Sequence, residues 1–286
     1  MSDTKPYLDG TGKPVLRDSF CAFLDVLGFA SHIDSSFKNG DGEIALESFY
    51  GVFTQQLQTI LNPQSDPYTQ WEIKVFTDNI VLGYPRPTWH SEPEFGDILT
   101  KIGQYQLQMT LRNFFIRGGL AVGPLFMDES TAFGPALLES HALESSRARE
   151  PRVILSAGAI AVLKQHLGFY GKAQWAPQHR LVFQDADGEI FINYLDHVIV
   201  PGPPDGRDTV DLDTLANHRD IVVRNLNEHS GNPVVWAKYR WVAIYHNAFV
   251  DECVSTYGIA EDLAIDSNKL VVCPRRLESE PQKTAT

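Results

Sequence analysis

Ser19-Phe-Cys-Ala-Phe-Leu-Asp-Val-Leu-Gly-Phe29 is the stretch on which the fold turns. Apolar and aromatic residues run from Phe20 to Leu24, end in an acid at Asp25, and meet a glycine three positions later. A short apolar run bounded by a turn residue reads as a buried strand, and Gly28 marks the turn into a helix. Working outward, Leu46, Phe49, Tyr50, Phe53, Leu57, Ile60 and Leu61 recur at steps of three and four, which predicts an amphipathic helix. Trp71–Phe76 and Ile80–Tyr84 flank Thr77-Asp78-Asn79 and predict a β-hairpin with polar residues at its tip. A helix over 95–112 and a strand over 114–122 follow, and another helix starts near Gly134-Pro135. From residue 19 to residue 122 the order is β-α-β-β-α-β. That is a split βαβ, ferredoxin-like α+β unit with an antiparallel sheet.

Downstream, 156–167 is helical in pattern, and 181–184 with 189–195 suggests a hairpin around Asp185-Ala-Asp-Gly188. Val200-Pro-Gly-Pro-Pro-Asp-Gly206 is the best internal boundary. It divides the chain into a core over 17–200 and a helical C-terminal extension over 201–286, packed on the same core, with helices expected over 211–228 and 233–257. Residues 1–18 and 277–286 are polar and expected to be loose at their ends.

The whole chain has 286 residues, 43% of them hydrophobic, enough for a sizeable core. Its 24 Lys+Arg against 36 Asp+Glu leave a net charge of −12, which disfavours wrapping a nucleic-acid backbone or lying on an anionic membrane. Cys21, Cys253 and Cys273 are few and far apart, which suits reduced thiols rather than a disulfide frame. No apolar signal core opens the sequence and no stretch approaches a membrane span, so a cytoplasmic protein is expected. Motifs of other chemistries are missing: no GxxxxGK[ST] phosphate loop, no GxSxG turn, no HExxH, and no dinucleotide fingerprint in the glycines of 117–123.

Asp25, at the end of a strand, is placed either to cap the next helix or to hold a divalent cation, while backbone N–H groups of the turn at Gly28 could face a phosphate. Asp78, alone, is ordinary turn chemistry. Together they say more. In a ferredoxin-like sheet the two carboxylates can meet, and two carboxylates plus substrate phosphates suit Mg²⁺ or Mn²⁺. Tyr50 is expected on the buried face of its helix, where its phenol either packs in the core or walls a small base pocket.

Four segments occur in an order similar to that of the class III nucleotidyl cyclases: Phe23-Leu-Asp-Val-Leu-Gly-Phe29, Lys74-Val-Phe-Thr-Asp78, Arg117-Gly-Gly-Leu-Ala-Val-Gly123 and Phe133-Gly-Pro-Ala136. In detail the chain resembles the bacterial pyrimidine cyclases of anti-phage defence, the Pycsar cyclases. Phe76-Thr-Asp-Asn-Ile80, Gly134-Pro-Ala-Leu-Leu-Glu139, Pro151-Arg-Val153, Asn193-Tyr-Leu195, Lys238-Tyr-Arg-Trp241 and Tyr245-His-Asn247 carry that likeness. The resemblance implies Asp25 and Asp78 as ligands of two Mn²⁺ or Mg²⁺ ions, assisted by the Val26 carbonyl. It puts Gly28 and Phe29 against the triphosphate and Lys74 near the base. It also implies a head-to-tail homodimer with shared sites, and cyclisation of UTP, or of CTP, to a second messenger read by a separate effector. A departure concerns the helix after Gly134, which reads Leu138-Glu-Ser-His-Ala-Leu143 and lacks the Asn-x-x-x-Arg of purine cyclases. The cation for the triphosphate is then Arg117, Arg147 or Arg152, with Arg117 preferred; Glu139 and His141 face either the cleft or solvent. Two rivals are a cyclase-fold module that binds without turnover and a palm-type polymerase, whose hairpin would carry Gly-Gly-Asp/Glu.

Overall fold

In the computed structural model, residues 5–61, 71–86, 91–170, 176–203 and 206–270 are described. Strand β1 (Arg17–Val26) leads through Gly28 into α1 (Phe29–Asn39) and α2 (Gly42–Leu61). The hairpin β2 (Glu72–Phe76) and β3 (Asn79–Pro85), helix α3 (Glu92–Thr110) and strand β4 (Ile116–Met127) complete the βαββαβ order. The chain goes on as β5 (Ala132–Phe133), α4 (Pro135–Ser146), β6 (Val153–Leu155), α5 (Ala157–Tyr170), α6 (Pro177–Arg180), β7 (Val182–Gln184) and β8 (Ile190–Ile192). Short strands β9 (Ile199–Val200) and β10 (Thr209–Val210) precede helices α7 (Leu212–Glu228) and α8 (Pro233–Tyr257).

The main sheet has the order β2-β3-β1-β4-β6-β8-β7, with β5 paired to β4. All its pairings are antiparallel except β4 with β6. Strand β1 alternates strictly. Phe20, Ala22, Leu24 and Val26 enter a core that includes Phe95, Ile98, Leu99 and Ile102 of α3, while Phe23 meets His141 of α4 across 4.8 Å. One face of the sheet therefore carries α3 and the other α4, as a period of two requires. Gly119 makes the second packing close: a Cβ there would lie 2.5 Å from the Ser140 carbonyl oxygen.

Gly40, whose φ of 82° suits a left-handed helix end, closes α1 in the polar turn that precedes the amphipathic helix α2. Two expectations need correction. The N-terminal segment is anchored: Tyr7 is buried against Leu125 and Phe126, and Leu8 bridges Pro14. Strand pairing in β8 ends at Ile192, after which Tyr194–Val198 forms a 3₁₀ turn. Within the Pro/Gly-rich boundary, β9 and β10 pair, and Leu215, Tyr245 and Phe249 of the C-terminal helices share a cluster with Leu107, Ile154 and Phe191. The expected tail at 277–286 lies outside the described residues.

That cluster borders a buried polar chain. His246 Nε2 lies 3.0 Å from the Leu263 carbonyl, which only accepts, so this nitrogen donates. His246 Nδ1 then accepts from His218 Nδ1 at 3.0 Å, and His218 Nε2 accepts from the Tyr194 hydroxyl at 3.0 Å. Both rings are satisfied only when neutral. Burial lowers both pKa values, His246 to about 4 and His218 well below its usual range, with the His246 neighbour adding to the latter. Because the unfolded chain binds these protons first, the pair's contribution is complete above about pH 6.5. It declines as pH falls, by about 1.4 kcal/mol per unit for each ring. In a ¹⁵N-resolved titration both imidazoles are expected to be neutral at pH 5.5 in the folded protein; protonation of either at that pH would contradict the arrangement.

Candidate active site

The register of β1 with its neighbours assembles the site. Asp25 sits opposite Asn79 of β3 and opposite Arg117 of β4, on the face that carries α4. Asp78 occupies the adjacent hairpin turn, and its carboxylate accepts from Thr77 Oγ1 at 2.7 Å and from Asn79 Nδ2 at 3.3 Å. The two acids are close enough to interact. Burial raises the Asp25 pKa, Arg117 opposes the rise, and the Asp78 charge reinforces it.

Arg117 joins the acids through a third group. Its Nε donates to Asp25 Oδ2 at 2.8 Å, and its Nη2 lies 2.7 Å from Glu144 Oε1 on α4. Glu144 is almost fully covered, and its pKa is raised by burial first, with Arg117 opposing and Asp25 adding to it. The sequence reading missed Glu144. A helical period in α4 could have found it, because Ala136, Ser140, Leu143 and Glu144 form the buried stripe and only one of them is charged.

Other expected residues are placed less favourably. Lys74, expected near the base, is buried, and its Nζ donates to the Glu129 backbone oxygen at 2.8 Å. Tyr50, expected on the buried face of its helix, is 65% exposed. Ala45 and Phe49 form the buried i, i+4 stripe of α2, and Leu46 and Tyr50 lie one residue, or about 100°, round the helix. Side chains of Phe53, Leu57, Ile60 and Leu61 lie outside the described residues. Phe29 packs its ring on Phe49 at 4.6 Å between centroids, so toward a ligand it offers backbone. Gly28, with φ of 75°, is the exposed left-handed cap of α1, and the Val26 side chain is buried beneath Asp25. Of the other arginines, Arg147 pairs with Glu189 and Arg152 is enclosed by Glu150, Asp185 and Asp187. His141 and Glu139 are exposed on α4, the former edge-on to Phe23.

Among the described residues no group of three or more His, Cys, Asp or Glu is arranged as a metal centre. A cage made wholly by protein is thus not what these residues offer. Asp25 and Asp78 instead form a pair of mutually repelling carboxylates at a strand end, a donor set that fits a hard cation sharing its coordination with substrate oxygens.

The turn between β2 and β3 has a further peculiarity. Thr77 has φ of 57°, a left-handed conformation that β-branched residues avoid. Its hydroxyl, with a single proton to donate between the Asp78 carboxylate and the Phe76 carbonyl, helps to hold it there. Thr77→Gly is expected to raise stability by up to about 1 kcal/mol, since relief of this strain exceeds the loss of one exposed hydrogen bond. Thermal unfolding checks this; a lower midpoint in the variant would contradict it.

No family model matches the sequence, and no curated protein matches it. Among solved structures, the chain is similar to the adenylyl cyclase CyaB from P. aeruginosa, at 13% identity and a TM-score of 0.43, covering 62% of this chain and 93% of that one. A class III adenylyl cyclase-like ATP-binding protein from Pseudomonas aeruginosa is similar at 11% identity and a TM-score of 0.44, over 60% of this chain and 41% of that one. The guanylyl cyclase Cya2 is similar at 14% identity and a TM-score of 0.39, over 62% and 91%. Likeness at this level says nothing of substrate; what the site can do follows from its own residues.

Proposed function

We propose that the protein is a metal-dependent nucleotide cyclase that converts a pyrimidine nucleoside triphosphate, UTP in preference to CTP, to its 3′,5′-cyclic monophosphate and pyrophosphate. The observation that carries this reading is the meeting of Asp25 and Asp78 at one end of β1, beside the left-handed turn at Gly28. Held by these two carboxylates with the Val26 carbonyl, divalent Mn²⁺ or Mg²⁺ would favour ionisation of the substrate O3′ and offset charge on the triphosphate. Asp25 and Asp78 orient the reacting centre. Arg117, clamped between Asp25 and Glu144, acts as a positioning residue that fixes the Asp25 carboxylate.

The turn at Gly28-Phe29 would offer backbone N–H groups to phosphate oxygens. Phe76, Phe133 and Leu138 are each more than half exposed on or beside the face that α4 covers, apolar surface of the kind a second copy would bury. A head-to-tail homodimer accounts for them. Absence of the purine-type Asn-x-x-x-Arg from α4 favours a pyrimidine. Among the described residues no helix is long and apolar enough to cross a membrane. The reading makes the protein a cytoplasmic enzyme whose product is read by a separate effector in anti-phage defence.

Each ribonucleoside triphosphate incubated separately with Mn²⁺ or Mg²⁺ tests the reading. Cyclic UMP or cyclic CMP with equimolar pyrophosphate is the expected product. A cyclic purine as the main product would overturn the pyrimidine assignment, and no product from any of the four would favour a module that binds without turnover.

A further inference from the structure

A nucleoside triphosphate carries several negative charges, and the Asp25 site adds three carboxylates against one guanidinium. The cations expected to receive the polyphosphate are all engaged elsewhere. Arg117 is held by Asp25 and Glu144, Arg147 by Glu189, and Arg152 is closed off at 1% side-chain exposure. Lys74 is bonded to a backbone carbonyl. A polyanion would have to break one of these pairs or find another charge.

Helix α8 brings another charge. Tyr239 packs edge-on against Phe115, two residues before Arg117, with ring centroids 5.0 Å apart. The Trp241 ring lies under the Arg152 guanidinium at 5.5 Å, and the Arg152 carbonyl accepts from the Gly118 N–H at 3.1 Å. Leu27, in the turn that follows Asp25, belongs to the same cluster as Tyr239 and Val242. The first turns of α8 thus pack across the end of the sheet where β1 stops and β4 begins. Lys238 stands in that segment, half-buried, and makes no ion pair or hydrogen bond among the described residues.

We propose that Lys238 of α8 supplies the positive charge that receives the polyphosphate of the nucleotide at the Asp25 site, an inference that rests on reading this site as one for nucleoside triphosphates. The charges of Arg117, Asp25 and Glu150 all reach Lys238, so it lies within range of the same centre. Burial, and then the Arg117 guanidinium, lower its ammonium pKa, an unfavourable state that an incoming polyanion relieves. An ammonium on a flexible stem binds phosphate as a point charge without a fixed fork, which suits a group reaching in from a helix outside the sheet. The C-terminal helices thereby complete the site as well as cover the sheet.

Lys238→Met keeps the aliphatic stem and removes the charge; Lys238→Arg keeps the charge. With full-length protein and Mn²⁺, binding of inorganic tripolyphosphate is measured by calorimetry, and KM and kcat are measured with UTP. Lys238→Met is expected to weaken tripolyphosphate binding and raise the KM for UTP by about 10- to 100-fold, the usual worth of one charge-assisted contact. The unfolding midpoint of Lys238→Met should be unchanged or slightly higher, and Lys238→Arg should recover most of the loss. Unimpaired tripolyphosphate binding in Lys238→Met, or an arginine variant as deficient as the methionine one, would overturn this role while leaving an active wild type as a cyclase. A wild type that neither binds tripolyphosphate nor turns over any triphosphate would sink the cyclase reading and this inference with it.

Discussion

Replacing either Asp25 or Asp78 by asparagine is expected to lower cyclase turnover by at least about 1000-fold, the scale seen when charge stabilisation is removed from a transition state. The same substitutions should leave stability unchanged or slightly higher. Asp25 lies beside two other carboxylates, and its pKa is raised by burial and by the Asp78 charge, so the fold already disfavours its ionised form. An asparagine oxygen can still accept from Arg117 Nε while relieving the repulsion. Loss of activity with an intact or raised unfolding midpoint is the signature of a group kept for chemistry at some cost to the fold. Equal turnover in Asp25→Asn and wild type would remove this acid from the mechanism.

Arg152→Met is expected to be the most destabilising single change, by about 3–5 kcal/mol in urea unfolding. Arg152 is 1% exposed, and its guanidinium meets Asp185 and Asp187 from the β7–β8 turn and Glu150 at 3.1 Å. Trp241 Nε1 also donates to Asp185 at 2.6 Å, and its indole covers the guanidinium. Removing the cation leaves three carboxylates facing one another with no counter-charge. It also loosens the contact of α8 with β6 and the β7–β8 hairpin, which this cluster and the aromatics around it help to join. Arg152→Lys keeps the charge and loses the planar fork, so an intermediate loss is expected. A change below about 1 kcal/mol for Arg152→Met would contradict the structural role. A stable Arg152→Lys with abolished turnover would return Arg152 to the substrate.

Much of this arrangement is legible in the chain because it depends on local pattern. The short apolar run from Phe20 to Leu24, the polar tip at Thr77-Asp78-Asn79 and the helix expected over 95–112 each mark an element, and their order indicates which strands are neighbours. Once β1 lies between β3 and β4, Asp25 must face Asn79 and Arg117. What could not be read depends on pairings between distant side chains. Whether Arg117 faces a phosphate or another acid turns on Glu144, far along the chain on α4. Lys74 is a strand lysine by pattern, and only the loop carrying Glu129 determines that it is buried. Tyr50 failed for a different reason: α2 carries apolar residues around more than one stripe, so periodicity alone does not say which stripe faces inward. Strand β6 has three residues, too few for a pattern.

The most direct test of the pyrimidine cyclase reading is a single competition. Equimolar ATP, GTP, CTP and UTP are given to the protein with Mn²⁺, and all nucleotide products are identified by mass, with Asp78→Asn as the control. The expected result is a predominant cyclic pyrimidine monophosphate, cyclic UMP ahead of cyclic CMP, formed with pyrophosphate and absent from the control. Predominant cyclic AMP or cyclic GMP, or the same products from Asp78→Asn, would contradict it.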